Sequence, residues 1–148
     1  MNTDAGPDLL GLCQVENLSV LERPVDQVNA TITAARNSAI VDEDTDDARG
    51  IDVAFIYDAV QFHVPGPRDE SAFFRVVMRR NATRDIVQVT FRTAADRTLV
   101  VSGNHWPSRA GGQYESAGYR DIAGETLGVL PRAGTRHPRR RHPRAGHG

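Results

Sequence analysis

Apolar residues fall mostly in short runs bounded by turn residues, and only two stretches repeat at helical spacing. Residues 9–15 form a strand-length run, apolar enough for a central place in a sheet. In residues 51–57, Val53, Phe55 and Tyr57 share one face and Ala54 and Ile56 the other, so a strand covered on both sides is expected. Residues 60–64 are expected to pair with it. Residues 39–41 and 73–78 read as further strands. Residues 85–91 and 97–101 flank Thr93-Ala94-Ala95-Asp96, the pattern of an antiparallel hairpin. Leu21, Val25, Val28 and Ile32 mark a helix with two candidate starts. One is a capping box from Ser19 to Glu22. The other makes Pro24 the first helical residue, because a proline further inside removes a backbone bond and clashes with the carbonyl four residues back. Tyr119, Ile122, Ala123, Leu127 and Leu130 mark a second helix within 113–130. Its Gly118, Gly124 and Gly128 each cost up to about 1 kcal/mol relative to alanine. Strands predominating, with a helix towards each end, predict a sheet-based α/β layered domain.

Between these elements lie residues 65–70, a loop by their Pro/Gly chemistry, and an acidic run at 42–47. The acidic run is not a calcium loop of the EF-hand type. Such a loop needs glycine at its sixth position and glutamate at its twelfth, where Asp47 and Val53 stand. A solvated acidic loop is expected instead.

The chain of 148 residues, 39% hydrophobic and 25% charged, suits one domain with a single core. No apolar run approaches a membrane span, and the first residues lack a basic-then-apolar leader pattern, so cytoplasmic placement is the default expectation. Asn17, Asn29 and Asn81 begin Asn-x-Ser/Thr sequons, which carry little weight without a leader. The single cysteine, Cys13, sits in a strand pattern and is expected to be a buried small hydrophobe. All 18 basic residues are arginine. Residues 1–130 hold all 19 acidic groups and 12 arginines, a net −7; residues 131–148 hold six arginines and no acid, a net +6. An acidic body argues against a purely electrostatic nucleic-acid-binding module. The 131–148 segment has no large apolar residue and repeats His-Pro-Arg, so it is expected to be disordered, as are residues 1–7 to be frayed.

Candidate chemistry concentrates where the apolar run that opens at Leu99 breaks at Gly103-Asn104-His105. A histidine beside an amide, followed by Ser108 and Arg109, puts proton-transfer, amide and guanidinium groups on one rim that suits a phosphate. The segments NHWPSRAGGQYES (104–116), GLCQVEN (11–17) and RGIDVAFIYD (49–58) resemble the endonuclease/exonuclease/phosphatase superfamily. These are metal-dependent phosphodiester and phosphomonoester hydrolases related to DNase I, exonuclease III and sphingomyelinase. The resemblance runs over residues 8–130, the middle of the family's domain. It implies a DNase I-like four-layer α/β sandwich, with two mainly antiparallel sheets face to face, helices outside, and an active site at one end of the sheets.

By that resemblance His105 is the catalytic histidine at the scissile phosphate, and Asn104, Ser108 and Arg109 lie in the matching substrate-binding loop. Arg84 matches a recurrent arginine at the head of a neighbouring strand, as either a substrate contact or a structural ion pair. Trp106 is expected to pack beside the loop rather than to stack on a base. The family's Mg²⁺ or Mn²⁺ is held by a glutamate whose position Gln14 occupies here; Glu16, two residues on, is the alternative ligand. The family's later Gly-Asp-x-Asn and Ser-Asp-His motifs do not occur in the chain, which is therefore expected to be a truncated or frameshifted copy. Two functions stay open: a phosphoester hydrolase, possible nucleases included, impaired in this chain, or a non-catalytic remnant whose arginine-rich tail binds polyanions weakly.

Overall fold

The strand with both faces apolar, β3 (Asp52–Asp58), is the axis of the first sheet in the computed structural model, which describes residues 6–32, 36–41, 51–65, 72–75, 85–109 and 112–130. It is flanked antiparallel by β1 (Leu9–Val15) and β2 (Asn37–Val41), in the order β1-β3-β2. The second sheet is built on β6 (Ile86–Thr93). Along one edge β6 pairs with β4 (Phe62–His63) and β5 (Ala72–Arg75), and along the other with β7 (Thr98–Gly103), all antiparallel. The β6–β7 hairpin is the one the sequence predicts. Thr93 accepts the Asp96 N–H at 2.9 Å, and Asp96 adopts a left-handed conformation (φ 55), which Asp tolerates better than most residues.

Alternation sorts the apolar side chains into two cores. Val53 and Phe55 of β3, with Ile40, meet Val87, Val89 and Phe91 of β6 between the sheets. Tyr57 and Phe62 close one end, their rings 5.1 and 5.9 Å from that of Phe91. On the other face of the first sheet, Ala54 and Val15 pack with Leu21 beneath α1 (Leu18–Thr31). The layers are thus helix, sheet, sheet, with α2 (Ala117–Gly128) following β7. This is a mixed α/β architecture consistent with part of a DNase I-like sandwich.

Helix α1 starts at neither expected position. Asn17 is its cap: Oδ1 accepts the Val20 N–H at 3.1 Å and the Ser19 hydroxyl at 2.6 Å, so Ser19 donates to the cap instead of forming it. Pro24 lies inside the helix. An interior proline costs about 3 kcal/mol, an amount that burial of Leu21 and Val25, about 1.5–3 kcal/mol each, offsets. At the far end Asn29 fastens α1 to β2. Its Oδ1 accepts the backbone N–H of Arg36 (3.2 Å) and Asn37 (3.0 Å), and its Nδ2 donates to the Asn37 carbonyl at 3.0 Å.

Three other expectations change. Residues 62–63 pair with β6, not with β3, because the turn at 59–61 carries the chain across to the second sheet; Val60 N–H is capped there by Asp58 Oδ1 at 2.8 Å. Among the described residues β1 is an edge strand, not a central one. Cys13 is consequently exposed rather than buried: it pairs with Val53, but nothing among the described residues flanks its outer side. The acidic run at 42–47 and the segments 1–5 and 131–148 lie outside the described residues.

Candidate functional site

Gly103 fixes where the site stands. A Cβ there would come within 2.7 Å of Val53 Cγ1 and 2.8 Å of Phe55 Cζ, so only glycine lets the end of β7 lie this close to β3. Val53 pairs with Cys13 on β1, and its neighbour Asp52 pairs with Val15. The C-terminal ends of β1 and β7 therefore converge on the N-terminal end of β3. Gln14 and Glu16 leave the sandwich at the same end as Asn104 and His105.

At that end β1 bulges. The register slips between Cys13 and Val15, and Gln14 takes the left-handed conformation (φ 65) that a non-glycine residue adopts at a cost. Bulges of this kind re-aim a side chain and are over-represented beside active sites. Both Gln14 and Glu16 are exposed.

Past Gly103, Asn104 and His105 are half-buried, while Ser108 and Arg109 are exposed. The Asn104 Oδ1 is shut off from solvent and accepts no hydrogen bond among the described residues. The hairpin beneath is tied on its outer face by Gln88 Nε2, which donates to Ser102 Oγ at 3.2 Å. Trp106, 41% exposed, lays its ring on α2, with Cη2 3.7 Å from where a Cβ on Gly124 would stand. It packs the loop to the helix, the role its position in the sequence suggested.

A family model described as the Endonuclease/Exonuclease/phosphatase family matches residues 1–130. The chain belongs to that family. No curated protein and no solved structure matches it. Members of the endonuclease/exonuclease/phosphatase family are generally metal-dependent. Where the resemblance puts the ion's carboxylate, Gln14 offers a neutral amide on an exposed bulge, a poor ligand for Mg²⁺. Among the described residues no three His, Cys, Asp or Glu side chains converge on one point.

The structure brings Gln14, Glu16, Asn104 and His105 to one end of the sheets, with Ser108 and Arg109 on the loop beyond. Arg84 lies outside the described residues. Two carboxylates at the same end escaped the sequence reading: Asp52 at the head of β3 and Asp85 just before β6, each 4% exposed. The β6–β7 ladder ends at the Val87–Gly103 pair, two residues from Asp85 on one strand and two from His105 on the other. Their signal was an acid at the start of an apolar strand, in RGIDVAF and TRDIV, a place where charge is normally solvated. No helix among the described residues is long and apolar enough to cross a membrane.

Proposed function

We propose that the chain binds phosphoesters at the His105 rim, and that the family's Mg²⁺- or Mn²⁺-dependent hydrolysis is impaired in it. The observation that supports this reading is the Gln14 bulge: the residue that the resemblance sets at the metal position stands at the same end of the sheets as His105. Asn104 and Ser108 supply neutral polar groups and Arg109 a guanidinium, a set sufficient to hold a phosphate. His105 is the one group in that loop able to carry a proton to or from it near neutral pH. Affinity needs fewer aligned groups than turnover, so binding outlasts the loss of rate. Phosphodiesters and phosphomonoesters, nucleic acid among them, are the substrate class, and the net −7 of residues 1–130 weighs against long polyanions on this body.

The test is purified chain with Mg²⁺ or Mn²⁺ and a chromogenic phosphodiester, beside His105→Ala and Gln14→Glu. Expected is turnover close to the assay floor, raised by Gln14→Glu and lost with His105→Ala, since removing a general acid or base costs on the order of 10²–10⁴ in rate. Robust metal-dependent turnover of the unaltered chain would overturn the impairment. Turnover indifferent to His105 would overturn the site.

A non-catalytic binding role is the second reading, favoured by the six arginines of residues 131–148. Binding to duplex DNA without turnover carries it, with a log–log salt slope of at most about −5 that vanishes when residues 131–148 are removed.

A further inference from the structure

Arg109, Gly112, Gln113 and Ser116 are linked by a run of hydrogen bonds that ends on one guanidinium. The Gly112 N–H donates to the Arg109 carbonyl at 3.0 Å. The Ser116 hydroxyl donates to the Gly112 carbonyl at 2.9 Å, and the Ser116 N–H meets the same oxygen at 3.4 Å. Arg120, one turn along α2, donates through Nη1 to the Ser116 hydroxyl and through Nη2 to the Gln113 carbonyl at 3.1 Å. Ser116, at the centre of this relay, is only 8% exposed, whereas Gly112, Gln113 and Arg109 are exposed. Gly112 joins it at φ 116, a conformation that suits glycine alone.

From this relay we infer that Arg120 is a positioning residue for Arg109. Its fork grips the turn at two points and so fixes the backbone from which the Arg109 guanidinium reaches a phosphate. A lysine keeps the charge but presents no planar fork to hold two acceptors at once. The inference rests on the phosphoester-binding role given above to Arg109. Arg120 acts through Arg109, and so a loss at Arg120 is felt only while Arg109 is present.

Inorganic phosphate binding, measured by calorimetry on the full chain, tests it with Arg120→Ala, Arg120→Lys, Arg109→Ala and the two doubles. Expected is a loss of about tenfold for either Arg120 variant, the scale of one charge-assisted hydrogen bond. In the Arg109→Ala background neither Arg120 change should cost anything further, the non-additivity expected of residues acting as one unit. Additive losses would overturn the inference, as would wild-type affinity in Arg120→Lys, which would make Arg120 a simple charge. Amide hydrogen exchange at Gly112 separates the two proposals. If the unaltered chain fails to bind phosphate, the phosphoester role falls, and faster exchange at Gly112 in Arg120→Ala still upholds the positioning of the Arg109 turn. Unchanged exchange would overturn it.

Discussion

Gly103 lies so close to Val53 that a Cβ would stand 2.7 Å from its Cγ1. The contact joins the two sheets at the point where the histidine loop departs. Val53 is 3% exposed and cannot swing aside into solvent.

Gly103→Ala should therefore force the sheets apart locally. Overpacking of a tight core costs about 1–3 kcal/mol, to be read as a lower thermal midpoint. Phosphate affinity should fall with it, because the loop at 104–109 leaves from the displaced strand. An unchanged midpoint would show that β7 can shift without penalty.

Gln14 invites two substitutions with separate outcomes. On the proposed reading of Gln14 as the metal position, Gln14→Glu supplies an anionic oxygen there and should tighten Mg²⁺ or Mn²⁺ binding in a calorimetric titration. Equal affinities, with Glu16→Gln alone abolishing binding, would make Glu16 the ligand. Gln14→Gly should leave metal affinity no better. It should be neutral to stabilising by up to about 1 kcal/mol, because the left-handed backbone costs an ordinary residue about 1–2 kcal/mol and glycine loses part of that relief to its own chain entropy.

Gly124→Ala should raise stability. The new methyl would meet the Trp106 ring at 3.7 Å, an ordinary contact, while α2 gains up to about 1 kcal/mol in helix propensity. Denaturant titration measures the change. Trp106→Ala should act in the opposite direction and loosen the loop, seen as faster amide exchange at His105.

Alkaline stability should depend on Tyr57. Burial beside Phe91 raises its pKa above 10.0, and the hydrogen bond with Ser38 only partly opposes this. A raised folded pKa means that the unfolded chain releases the proton first. The stabilisation is complete below pH 10 and is lost as pH rises from there through the folded value. Thermal midpoints between pH 9 and 11 should fall more steeply for the unaltered chain than for Tyr57→Phe.

Local chemistry was legible in the sequence wherever it decided the outcome. Val53, Phe55 and Tyr57 against Ala54 and Ile56 gave β3 its two covered faces, and Thr93 to Asp96 gave the hairpin. Competition between neighbours was not. Asn17 takes the cap ahead of Ser19 because, from the extended backbone at 17, its side-chain Oδ1 accepts the Val20 N–H. Pro24 survives inside α1 because tertiary burial outweighs a local penalty. The candidate site was half legible: family resemblance, rather than composition, singled out the His105 loop and Gln14, and the fold carries both to one end of the sheets. Asp52, Asp85 and Arg120 were not legible, since their meaning depends on which strands meet and which turn a helix grips.

Asn29 begins the sequon Asn29-Ala30-Thr31, yet its amide nitrogen is already given to the Asn37 carbonyl and its oxygen to two backbone donors. One N–H of that nitrogen is therefore engaged in the folded chain, and a sugar has only the other hydrogen's direction by which to leave. The fastening of α1 to β2 thus restricts how a modification at this half-buried asparagine could be oriented.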